Sequence, residues 1–371
     1  MTEPTNPVPD VDPIAVAAER RLSVPESTDD MTDSAQEISF WSPLPLAECV
    51  PIEAAFRTVD AAAIDHQLWH RRFTLIAAAG GYGSLLVAIW TLGFRRLLAP
   101  GLEHSLVVVE LLLILAGGVA LGVGLHQRRK FLWITNRHQA ELLRLAKFEF
   151  VTTPSVWVRG PAARLQWVSD RIEKIRLVRG RHDLERAVST ATPETDPTDV
   201  PVLATVVLRT LVEYYRNKRL SPQRAYLANR AQKNAFWDGP GIRSVTTFLF
   251  FGSVVAVVIQ AVINLWGAAS DFWSVAVTTL GAASLPVAAA IIRTLRSAFE
   301  FSRNRSRFLA TEDALRGLDD RLTHRLIWEG STEVSAELAS VTLQDLGRCE
   351  VHLRNEHQEW LRLMLEAEWF A

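Results

Sequence analysis

FTLIAAAGGYGSLLVAIWTLGF (Phe73–Phe94) and SLVVVELLLILAGGVALGVGL (Ser105–Leu125) decide how this chain is read. A bilayer-spanning helix needs about 20 apolar residues, and both runs meet that length. Neither contains Lys, Arg or Asp, and Glu110 is their one charge. A short loop joins them, so together they predict a transmembrane hairpin. A second pair, Ser244–Trp266 and Phe272–Ile292, repeats the pattern. The fold class expected is therefore an all-α integral membrane protein, with two transmembrane hairpins (four spans) carrying long cytoplasmic helices.

Composition agrees once it is read by region. The chain has 371 residues, 49% hydrophobic, with a net charge of -1, and its mean hydropathy is only +0.10. Apolar residues concentrate in the four runs and charge lies outside them. Flanking charge orients the spans, because excess Lys and Arg stays inside. His70-Arg71-Arg72 precedes the first run and Arg128-Arg129-Lys130 follows the second; Arg293, Arg296, Arg303, Arg305 and Arg307 follow the fourth. The loop Gly267–Asp271 has no basic residue, whereas Arg95 and Arg96 edge the first loop. Both termini are expected in the cytoplasm of a bacterial inner membrane. Trp69 and Trp90 sit where interfacial aromatics collect at either end of the first run.

Outward from the hairpins the chain divides into four segments. Residues 1–45 are rich in Pro, Thr, Ser and acid and read as a disordered acidic tail. The start has neither basic cluster nor short apolar core, so a signal peptide is not expected. Residues 46–158 form the first hairpin unit, with Pro51–His70 as a lead-in helix and Arg128–Phe150 as a helix ended by Thr153-Pro154. Residues 159–199 hold a basic amphipathic stretch, Ala162–Val188, and a Thr/Pro/Asp linker, Ser189–Thr198. That stretch reads as a solvated connector, an element on anionic headgroups or part of a phosphate-binding site. Residues 200–371 form the second hairpin unit, closing with a coiled-coil-like pair of helices around a turn at Trp328–Ser331. A break is expected at Ser221-Pro222, with Ser221 capping the next helix.

Few residues are candidates for chemistry. Gly118-x-x-x-Gly122 is a small-residue packing pattern, suited to close helix approach in lipid. Glu110 could line a pore, bond between helices or reach the outer surface. Gln260 and Asn264, one turn apart, read as interhelical polar contacts before pore lining. Cys349, His352 and His357 fall on one helix, Cys349 and His352 on one face, but His357 points well away from His352 and no second pair is obvious, so ordinary helix residues are preferred to a metal site. The two cysteines, Cys49 and Cys349, give no disulfide framework. No phosphate-binding loop, nucleophile elbow or zinc-protease motif is present. No catalytic residue, cofactor, metal or nucleic-acid partner is expected, and the chain does not read as an enzyme.

Both halves share one plan: a helix with Gln and aromatics, a hairpin, then a charged helix. The run Tyr215-Arg216-Asn217-Lys218-Arg219-Leu220-Ser221-Pro222-Gln223-Arg224-Ala225-Tyr226, with Ala231 and Lys233, resembles the opening of a SLATT domain. Asp60, Ala63 and Gln67 resemble a diverged copy of it. Arg137, Ala140-Glu141, Leu143-Arg144 and Lys147-Phe148 resemble the helix after the hairpin in that family, and Glu356, Trp360 and Leu361 its closing helix. The tandem arrangement departs from the family pattern. The resemblance implies an oligomeric, pore-forming membrane effector of a bacterial antiphage system. Its implied partners are the lipid bilayer, further copies of itself, and a nucleotide second messenger or nucleotide-sensing protein. The alternative is a membrane-anchored scaffold or sensor that recruits a cytoplasmic partner.

Overall fold

In the structure, a computed structural model, the residues described are 30–95, 98–126, 128–157, 160–189, 204–266, 272, 276–298, 301–328 and 335–366. Every regular element among them is helical. The linker and the two turns expected at 267–271 and 328–331 fall wholly or mostly outside the described residues.

A short helix α1 (Ala35–Phe40) opens the described chain. Its start is a capping box: Ser34 Oγ accepts from the Glu37 amide at 3.2 Å, and Glu37 Oε2 accepts from the Ser34 amide at 2.8 Å. A 3₁₀ turn, Leu46–Cys49, leads into α2 (Val50–Phe94), which has Pro51 in its first turn and runs 45 residues without interruption. The lead-in helix and the first apolar run are thus one rod. Then come α3 (Pro100–His126) and α4 (Arg129–Thr152). Arg128 separates them in a left-handed conformation, φ 48°, which redirects the chain from the hairpin into the next helix.

Four shorter helices follow: α5 (Pro154–Trp157), α6 (Pro161–Arg176), α7 (Arg181–Ser189) and α8 (Thr205–Tyr215). Thr153-Pro154 ends α4 as the sequence requires. At Ser221-Pro222 the expected break is absent. A π-helical turn, Arg216–Leu220, joins α8 directly to α9 (Ser221–Asp238), and Ser221 keeps helical dihedrals. Proline cannot donate to the carbonyl one turn back, and the wider turn absorbs the missing bond. The chain continues through α10 (Pro240–Trp266), a π-helical segment at Val277–Ser284, α11 (Leu285–Ala298), α12 (Phe301–Trp328) and α13 (Ala336–Glu366).

Among the described residues, three stretches are long and apolar enough to cross a membrane: one ending at Phe94, Gly101–Gly124, and one ending at Val262. Val277–Arg293 is apolar but shorter. The fourth expected span, Phe272–Ile292, is therefore seen only in that shorter form, with residues 273–275 outside the described set.

Below the hairpins lies a packed helical body. Its core joins Trp41, Leu46, Ile52, Phe148, Tyr214, Tyr215, Leu318 and Leu346, drawn from both halves of the sequence. The expected tail to residue 45 is corrected here. Met31, Trp41, Leu44 and Leu46 are buried in that core, so the chain from Asp30 is part of the fold. Its acids, which suggested disorder, are neutralised by partners far along the sequence.

Candidate functional site

The hairpin helices bring the membrane candidates into place. Gly80 on α2 and Gly117 on α3 meet backbone to backbone: a Cβ on Gly80 would lie 2.7 Å from the Gly117 Cα. This close approach packs the first hairpin on itself. Gly118 and Gly122 instead stand on the outer side of α3, with open space beyond them. Glu110 is half-buried on α3, one turn before Leu113, whose side chain lies against Gly83.

The two hairpins touch along a polar seam. Trp90 Nε1 donates to Ser284 Oγ at 3.0 Å, and Ser284 Oγ donates to the Thr279 carbonyl at 2.7 Å. Thr91 and Thr279 are buried, and Gly93 faces the Thr279 side chain with no room for a Cβ. On α10, Ser253, Ala256 and Gln260 share one face by helical spacing. Ala256 packs on Gly281 of the π-helical segment, and Gln260 is half-buried one turn beyond. Asn264 lies in α10, with its side chain outside the described residues. Leu111, Leu112, Leu115 and Val119 of α3, with Phe248, Phe251, Val255 and Val258 of α10, face outward.

The second arrangement is an ionic core inside the body. Lys147 on α4 has no exposed surface; it pairs with Asp33 at 2.8 Å and Glu53 at 2.9 Å, and donates to the Met31 carbonyl. Lys218, in the π-helical turn, pairs with Asp33 at 3.2 Å and Glu37 at 2.6 Å, and donates to the Thr32 carbonyl. Arg219 grips Glu350 of α13 through two bonds of 3.0 and 3.1 Å and reaches Asp30 at 3.6 Å. Arg144 pairs with Asp30 at 3.1 Å and Glu141 at 2.6 Å. Tyr214 donates to Asp33 and Tyr215 to Glu350. The segment Asp30–Cys49 thus sets Asp30, Asp33 and Glu37 against cations from both halves.

Proton affinities follow from these contacts. Burial alone would raise the Asp33 carboxyl, but Lys147 and Lys218 outweigh it and hold it below the usual range. Glu53 is raised, because burial and the adjacent Asp33 together exceed the pull of Lys147. Burial would likewise lower Lys147, yet Asp33 and Glu53 hold it above its usual value. Burial pushes both Cys49 and Cys349 well up, so neither is a reactive thiolate.

Deeper between α4 and α13, His138 Nδ1 and His357 Nε2 lie 2.8 Å apart, with rings parallel at 5.1 Å. Burial lowers them to about 4 and about 3 respectively. His357 thus turns to His138 and stacks on Trp360. Among the described residues no group of three or more His, Cys, Asp or Glu could hold a metal ion.

The ionic core was missed at the sequence level, although two local signals were present. Ser34-x-x-Glu37 is a capping-box pattern, and Asp30, Asp33 and Glu37 fall at helical spacing. What they describe is an all-helical protein with membrane-length apolar helices on a charge-stitched body. Compared with protein-family models, curated proteins and solved structures, the chain matches none.

Proposed function

We propose that the protein is a membrane-embedded, self-associating, pore-forming effector of a bacterial nucleotide-signalling conflict system, placed in the inner membrane with both termini inside. The observation that carries this reading is the outward apolar surface of α3 and α10. Soluble proteins rarely expose apolar patches above a few hundred Å², and exposed apolar side chains here extend from Leu102 to Val119 on α3 and from Val245 to Val262 on α10. Gly118 and Gly122 open onto the same surface, where a helix of another copy could approach closely. A pore built from these hairpins would take several copies of the chain. The resemblance of Tyr215–Tyr226 to a SLATT opening supplies the effector role and the nucleotide signal. Purified protein should release dye from loaded liposomes, and Glu110→Ala should change the rate. No release with any nucleotide tested would overturn the reading.

One observation favours the scaffold reading instead. Polar groups in the hairpins are few, while the body holds the dense ionic core. Under that reading, replacing both hairpins with unrelated ones leaves function intact.

A further inference from the structure

We propose that Asp30–Cys49 is an intramolecular clasp: it joins the two halves of the chain, and its seating keeps the two hairpins side by side. Asp33 is the centre of it. Lys147 belongs to the first half and Lys218 to the second, and both ammonium groups contact this one carboxylate, at 2.8 and 3.2 Å. Remove that charge and the two buried ammonium groups lose the carboxylate they share, each keeping one other acid, Glu53 for Lys147 and Glu37 for Lys218. Glu53 still serves Lys147, but Asp33 and Glu37, both on the clasp, are the acids that pair with Lys218.

Asp30 repeats the arrangement three residues earlier, between Arg144 of the first half and Arg219 of the second. Gln223 of α9 donates to the same carboxylate at 2.8 Å. Apolar contacts seat the segment as well: Trp41 is 1% exposed and packs edge-on to Tyr214 at 5.8 Å. The halves also meet directly, at His138–His357 and at Phe148 against Tyr214 and Tyr215, and the clasp adds a bridge of buried charge between them. The hairpins stand on those halves and touch at Trp90 and Ser284, so release of the clasp loosens that contact.

The test is a thiol cross-link between Trp90→Cys and Ser284→Cys in the full chain, reconstituted in lipid. Native Cys49 and Cys349 are buried, and single-cysteine variants control for them. Asp33→Asn should lower the cross-link yield by about fivefold or more, the low end of an inter-site coupling. Adding Lys218→Met with Glu37→Gln removes the facing cation together with the acid it pairs with and should restore the yield. An unchanged yield in an Asp33→Asn protein that elutes like wild type overturns the proposal. So does a loss that Lys218→Met with Glu37→Gln fails to reverse. The readout is the hairpin contact, so it stands apart from whether liposomes leak.

Discussion

At the scale of single residues, the first hairpin depends on Gly80. A Cβ there would lie 2.5 Å from the Leu113 carbonyl oxygen and 2.7 Å from the Gly117 Cα. Both are backbone atoms, which cannot swing aside as a side chain can. Gly80→Leu should therefore destabilise the hairpin by about 1–3 kcal/mol, the usual effect of overpacking. Gly118→Ala meets open space within the chain and should leave the unfolding midpoint of the detergent-solubilised monomer unchanged. Equal midpoints for the two variants would contradict the packing described. The Gly118–Gly122 spacing was plain in the sequence, but spacing alone does not say which glycine meets a neighbour. That is decided by the rotation of α2 against α3.

Between elements, the His138–His357 contact ties α4 to α13 and makes their packing sensitive to pH. Both imidazoles stay neutral in the fold, at about 4 and about 3, against about 6.5 in an unfolded chain. Above pH 6.5 neither state binds the proton, and stability is complete. As pH falls below 6.5 the unfolded chain takes up protons that the fold refuses, so stability is lost progressively toward pH 4 and 3. At pH 5 the loss is about 2 kcal/mol per imidazole. The thermal midpoint should drop between pH 7 and 5, and drop less in a His138→Phe/His357→Phe variant; parallel curves would exclude the pair as the cause. This contact was not legible in the sequence, because its partners lie 219 positions apart. The apolar runs were legible, since length and composition are local properties. The same contrast explains the clasp. Its acids look like a solvated tail until Lys147 and Lys218 arrive at Asp33 from 114 and 185 positions away. The π-helical turns leave no mark in apolar periodicity at all.

For the molecule as a whole, one core crosses both halves of the chain. Unfolding of the body should then be a single event. Leu346, in the second half, is fully buried, and Leu346→Ala should remove about 2–5 kcal/mol. Amide exchange should speed up equally around Leu143 on α4 and around Leu346 on α13; acceleration confined to α13 would mean the halves fold separately. The uninterrupted helix Val50–Phe94 gives this unity a mechanical side. At 1.5 Å per residue it is a drive shaft about 68 Å long. Its lower end is gripped where Ile52 and Phe56 sit in the body, and its upper end carries Trp90 against Ser284. Without a break to absorb torsion, a twist applied at the bottom arrives at the top at nearly its full angle.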